Sequence, residues 1–145
     1  MHDLVSKRIF AEETAGLTRR LCEGRSWQLF GVSYPVVDVG FTGAGRPGLR
    51  LRMTCDNYNE LPASIELLNL NGEPISPMIS CPKSIFNSST HPTTGKPFVC
   101  YPGSRQYHTH PSHVTDDWSN YRGSDRYKLG GLIFQLWRAW QKARP

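Results

Sequence analysis

The sequence predicts a single α+β domain spanning residues 1–145, and three observations carry that expectation. Helix-periodic apolar stripes stand at both ends of the chain. Between them lie four short runs rich in β-branched and aromatic residues, and links of a few turn-forming residues join those runs. A chain of 145 residues is about one core's worth.

Phe10, Thr14, Leu17 and Leu21 fall at i, i+4, i+7 and i+11, so residues 3–23 read as one amphipathic helix, with Asp3 as candidate cap and Gly24 as stop. Cys22, in its last turn, reads as core filler. Trp27–Ser33, Val36–Phe41 and Leu49–Thr54 read as strands, separated by Tyr34-Pro35 and by the turn-rich link from Thr42 to Gly48. A fourth run, Ala63–Leu70, ends at Asn69-Leu70-Asn71-Gly72. Connections this short favour a four-stranded antiparallel meander. Cys55, at the end of the third strand, again reads as packing. Leu129, Leu132, Ile133, Leu136, Trp137 and Trp140 predict a C-terminal helix from about Tyr127 to Ala143, with Ser124 or Asp125 as its cap and Lys142 and Arg144 suiting its dipole.

The composition, 38% hydrophobic and 20% charged, suits a folded water-facing domain. The longest apolar runs fall well short of the roughly 20 residues a bilayer span needs, so no membrane partner is expected. The first residues carry scattered charge and no apolar leader segment, which points to the cytoplasm. In that compartment Cys22, Cys55, Cys81 and Cys100, none in a CxxC pair, read as thiols and not as disulfides. The excess of 17 Lys+Arg over 12 Asp+Glu suits an acidic partner. The basic residues form no tract and no nucleic-acid motif accompanies them, so nucleic-acid binding ranks last.

Residues 73–126 lack periodicity, hold four of the five histidines, and carry Phe86, Phe98, Tyr101, Tyr107, Trp118 and Tyr121. A long aromatic loop of this kind is expected to be ordered and to form the active surface. Within it, Thr90-His91-Pro92-Thr93-Thr94-Gly95-Lys96-Pro97-Phe98-Val99-Cys100 places a cysteine behind a His-Pro corner and a glycine turn. Pro92 and Pro97 restrict the backbone there. Lys96 or a protonated histidine nearby would favour the thiolate that a nucleophilic cysteine needs. Packing and metal binding stay open for Cys100 at this point. Cys81, His91, Cys100, His108, His110 and His113 supply enough donors for a zinc ion, although only His108 and His113 have the spacing of a common zinc module.

The helix, the meander, Asp56-Asn57-Tyr58-Asn59-Glu60-Leu61-Pro62 between strands three and four, His91-Pro92, Cys100 nine positions later, Trp118 and the final helix follow one another in an order that resembles the ubiquitin-conjugating enzymes over nearly the whole chain. The resemblance implies that Cys100 accepts a ubiquitin-like modifier as a thioester from an activating-enzyme-like protein and passes it to an amine on a target protein, without a cofactor. It also implies that His91, Pro92 and Trp118 shape the active-site loop, with His91 holding it through backbone hydrogen bonds. Thr93 stands where the family has an oxyanion-stabilising Asn, so either Thr93, Asn87 or a histidine takes that part, or transfer to lysine is slow. His110 and His113, in a lengthened stretch between Cys100 and Trp118, are candidates for the base or for oxyanion support. One helix follows Trp118, where eukaryotic members usually carry more. This His-rich form is similar to divergent bacterial conjugating-enzyme-like proteins, which occur beside an activating-enzyme-like protein, a modifier and a deconjugating protease in operons linked to phage defence. Two rival expectations are a zinc protein built on loop 81–113 and an inactive modifier-binding module of the same fold.

Overall fold

The computed structural model describes residues 2–75 and 85–143, except for the side chains of Asn87 and Ser88. Its architecture is α+β, with an N-terminal helix, a four-stranded antiparallel sheet and a C-terminal helix. Strands β1 (Trp27–Ser33), β2 (Val36–Phe41), β3 (Leu49–Thr54) and β4 (Ser64–Leu68) are neighbours in chain order, each antiparallel to the next. The first three have the bounds that alternation and turn residues predict. The fourth is shorter than 63–70, because Asn69 leaves the ladder to make a turn in which its Oδ1 accepts from the amides of Asn71 and Glu73.

The pairings Val37↔Met53, Val39↔Leu51 and Phe41↔Leu49, continued by Met53↔Ile65 and Leu51↔Leu67, line up one apolar face. All of these side chains are buried, together with Phe10, Leu132, Ile133, Leu136 and Trp140 from the helices. The opposite face carries an ionic cluster. Arg50 grips Asp38 with two parallel bonds, Nε to Oδ1 at 2.7 Å and Nη2 to Oδ2 at 2.8 Å, while its guanidinium lies 3.7 Å from the centre of the Phe30 ring. A register irregularity between Leu29 and Gly31 accompanies the placement of Phe30 on that face.

The predicted helix 3–23 is two helices. α1 runs Asp3–Thr14 and α2 runs Arg19–Gly24. The apolar stripe continues across the break, with Leu17 buried, but Gly16 weakens the helix and Thr18 starts a new one by accepting the Leu21 amide on its Oγ1 at 3.1 Å. His2, and not Asp3, caps α1, its Nδ1 accepting the Leu4 amide.

The C-terminal helix α4, Leu129–Lys142, buries Leu129, Leu132, Ile133, Leu136 and Trp140 as its periodicity predicts. Its start differs from expectation, since Ser124 heads a separate 3-10 turn, Asp125–Tyr127. A Cβ on Gly131 would run into the Asp125 carbonyl of that turn, so glycine is what lets the turn pass against the helix. The cap comes from across the molecule. Glu13 Oε1, on α1, accepts the Leu129 amide at 3.0 Å and the Tyr58 hydroxyl at 2.6 Å.

The expected irregular stretch is also more ordered than its lack of periodicity implies. It contains a hairpin of β5 (Phe86–Thr90) and β6 (Pro97–Val99), the short helix α3 (Arg105–Thr109) and a 3-10 turn at Trp118–Asn120. No helix among the described residues is long and apolar enough to cross a membrane.

Candidate active site

The β5–β6 hairpin is closed by its own histidine. The His91 amide donates to the Lys96 carbonyl at 2.8 Å, and Gly95, at φ 68°, returns its amide to the His91 carbonyl at 2.8 Å. The His91 ring is 1% exposed. Its Nδ1 accepts the Thr93 amide at 3.1 Å, which leaves the proton on Nε2 to be donated to the Gln106 carbonyl at 3.0 Å. Both ring nitrogens are therefore committed to backbone, and His91 ties the hairpin to α3. Pro92 and Thr93 lie exposed in the turn, and the Thr93 contact to this network is made by its amide.

Cys100 follows β6 directly, its amide bonded to the Ile85 carbonyl at 2.6 Å. The chain then turns into α3, which is pinned to the sheet at several points. Ser104 caps it, donating to the Val99 carbonyl at 2.8 Å and accepting from the Tyr107 amide at 3.1 Å. Gln106 accepts the Ile65 amide at the free edge of β4 and donates to Ser64 Oγ, while Arg105 reaches the Pro62 carbonyl and the Asp56 carboxylate.

Two tight turns after α3 bring the chain back towards the thiol. His113 donates its amide to the His110 carbonyl at 2.9 Å, and its Nε2 lies 3.6 Å from Cys100 Sγ. The His113 ring is stacked on Tyr107 with centroids 4.2 Å apart and planes 13° from parallel. Tyr107 and Tyr121 each donate a hydroxyl at 2.6 Å to the same oxygen of Asp116, and these bonds hold the Asp116 carboxyl below its ordinary range.

The other histidines are engaged elsewhere. His110 stacks on Phe98, and its Nδ1 accepts the Ser112 amide. His108 bridges the Asp116 carbonyl through Nδ1 and the Gly103 amide through Nε2. Burial lowers the affinity of His108 for a second proton, against the opposing pull of its bond to Asp116. Trp118 is buried, with its indole N–H donated to the Asn59 carbonyl at 3.1 Å, so it anchors the segment to the β3–β4 loop.

The three described thiols differ sharply. Cys55 is fully buried and pushed up to about 12 by burial, and Cys22 is likewise buried and raised. Cys100 is half-buried and is raised by burial alone. Lys96 places its ammonium 3.9 Å from Glu66 on β4, and burial is what shifts the Cys100 thiol. Among the described residues, no group of three or more His, Cys, Asp or Glu side chains converges as a metal site, while Cys81 lies outside those residues, as does the side chain of Asn87. Of the histidines proposed as ligands, His91 and His108 have both ring nitrogens engaged with the protein itself.

A cysteine beside an imidazole can pass its proton to that ring and attack an electrophilic carbonyl carbon. Sequence reading missed Tyr107 and Asp116 as members of the site, since nothing in their spacing signals a shared hydrogen bond. A family model described as Y4jH-like, Y4jH family, matches residues 82–143, a span that includes Cys100, Tyr107, His113, Asp116, Trp118 and α4. No curated protein matches the chain.

Proposed function

We propose that the protein is a conjugating enzyme for a ubiquitin-like modifier, carrying the modifier as a thioester on Cys100. The observation that carries this reading is the approach of His113 Nε2 to Cys100 Sγ at 3.6 Å, on a half-buried thiol that follows a His-Pro hairpin. The order of helix, four-stranded meander, hairpin, cysteine, buried Trp118 and final helix supports the finer assignment to the ubiquitin-conjugating fold.

The chemistry follows from the pair. Burial disfavours the free thiolate, so Cys100 needs an acceptor for its proton, and His113 is the ring in reach. The thiolate attacks the carbonyl carbon of the incoming thioester, a new C–S bond forms, and the carrier's sulfur leaves as thiolate and takes up a proton. In the second step an uncharged amine attacks the same carbonyl carbon. The C–N bond forms, Cys100 leaves as thiolate, and the proton lost by the amine returns to His113 or to water. Thr93 occupies the place of the family's Asn in the turn, and Thr93 or a histidine is the candidate to support the oxyanion in this step. His113 has a ring nitrogen at the Cys100 sulfur, whereas the His110 Nδ1 accepts the Ser112 amide. The partners are an activating-enzyme-like protein, the modifier and a target protein.

The test is to incubate the protein with its cognate activating enzyme, modifier and ATP. An adduct that thiol reductants dissolve is expected, and Cys100→Ala should abolish it. An adduct that persists unchanged in Cys100→Ala overturns the assignment.

A further inference from the structure

We propose that Tyr107 is the positioning residue for His113, and that Asp116 holds Tyr107 in that task. The imidazole is carried by a turn whose backbone ties are few, the His113 amide to the His110 carbonyl and the Asp116 amide to the His113 carbonyl, each 2.9 Å. The polar partner of the ring among the described residues is Cys100 Sγ, so hydrogen bonding alone leaves it free to swing about that contact. The broad face of Tyr107, 4.2 Å away and nearly parallel, removes that freedom.

Tyr107 in turn is fixed at both ends. Its backbone belongs to α3, which Gln106 and Arg105 bind to β4 and to the loop before it. Its hydroxyl is held by Asp116, which also takes the Tyr121 hydroxyl, while the Asp116 carbonyl receives His108. Asp116 thus closes the loop that starts at α3 and carries His113, and the ring is stacked inside the closure.

The groups facing His113 are Cys100 after β6, Tyr107 and His108 on α3, and His110 and Asp116 on its own loop, with Tyr121 reaching it through Asp116. Burial lowers the proton affinity of His108, whose Nε2 accepts the Gly103 amide.

This inference rests on the reading that Cys100 reacts and His113 takes its proton, and it is tested on the thiol directly, with no modifier or activating enzyme present. The full chain is treated with iodoacetamide from pH 5 to 10, and the rate at Cys100 is followed by peptide mass mapping, which separates it from Cys22, Cys55 and Cys81. Both Tyr107→Leu and Asp116→Asn are expected to slow alkylation at pH 7 by about tenfold, the cost of a sub-ångström misplacement, and to move the rising limb towards that of His113→Gln. Tyr107→Trp, which restores a flat face, should recover most of the rate. On a His113→Gln background, Tyr107→Leu should add nothing. Continued protection of Cys22 and Cys55 reports that each variant is folded, and Asp116→Asn keeps the test alive where Tyr107→Leu unfolds. Wild-type profiles for both variants, or an equal slowing on the His113→Gln background, overturn the proposal. A His113→Gln profile like that of wild type overturns the Cys100–His113 pairing and this proposal with it. Profiles as expected, with no adduct in the conjugation assay, overturn the reaction class and leave the positioning role standing.

Discussion

The four-stranded sheet and the segment from β5 to the turn at Trp118 are held by different forces. In the sheet, Val37, Val39, Phe41, Leu49, Leu51 and Met53 are wholly buried and cross-strand ladders satisfy the backbone. The site segment has one short, irregular hairpin, and most of its order comes from side chains bonded to distant backbone: His91 to Gln106, Ser104 to Val99, Gln106 to Ile65, Trp118 to Asn59. Apolar burial is non-directional and tolerates small shifts, whereas hydrogen bonds and ring stacks fix an atom to a few tenths of an ångström. A reactive thiol and its imidazole need the second kind of support. The thiols record the contrast, with Cys55 sealed under the sheet and Cys100 half open beside His113.

The sharpest test of the contrast truncates the sheet. Leu51 lies between Val39 and Leu67 at the centre of the core and is fully buried, so Leu51→Ala should cost about 3 kcal/mol in urea unfolding. The alkylation profile of Cys100 in the folded fraction should stay as in wild type. A profile disturbed as much as the stability would mean that the two regions are not separately held.

His91→Ala should give the reverse pattern. It leaves the Gln106 carbonyl and the Thr93 amide without their partner, which costs about 2 kcal/mol, less than the leucine truncation. It also frees the hairpin from α3, the two elements that bring Cys100 and His113 together. Cys100 alkylation should therefore lose its dependence on His113, as a double variant with His113→Gln would report. A stability loss with an unchanged profile would reduce His91 to core packing.

The same difference decides what a reader of the sequence can see. Alternation and turn residues locate β1, β2 and β3 to the residue, because each strand's face is set by its own neighbours. The break at Gly16 is hidden because the apolar stripe runs on through Leu17, which stays buried in the second helix's approach. The start of α4 is hidden because its cap, Glu13, lies more than 100 positions away. In the site segment the His-Pro corner and Cys100 stand out by residue type, and His113 could be named with His110 but not separated from it. What separates them is the pair of turns after α3, together with the Tyr107 stack, and neither leaves a periodic mark.

The smallest expected effect concerns the one polar cluster that the sheet does use. Burial alone would raise the Asp38 carboxyl, but the Arg50 fork and the Arg52 guanidinium outweigh it and hold Asp38 below its ordinary value of 3.8. A carboxyl depressed by folding contributes stability that is fully present above its unfolded value and is lost as pH falls through the folded one. Wild-type stability should therefore decline as pH drops below about 3.8, while Asp38→Asn removes this contribution and flattens that part of the acid limb. The Cys100 profile at neutral pH should not move, since Asp38 faces away from the buried side of the sheet and its partners lie on β3. An acid limb in Asp38→Asn as steep as that of wild type would show that the fork only orients Arg50 over Phe30. The sheet's outer face would then be held, like its inner face, by contact and not by charge.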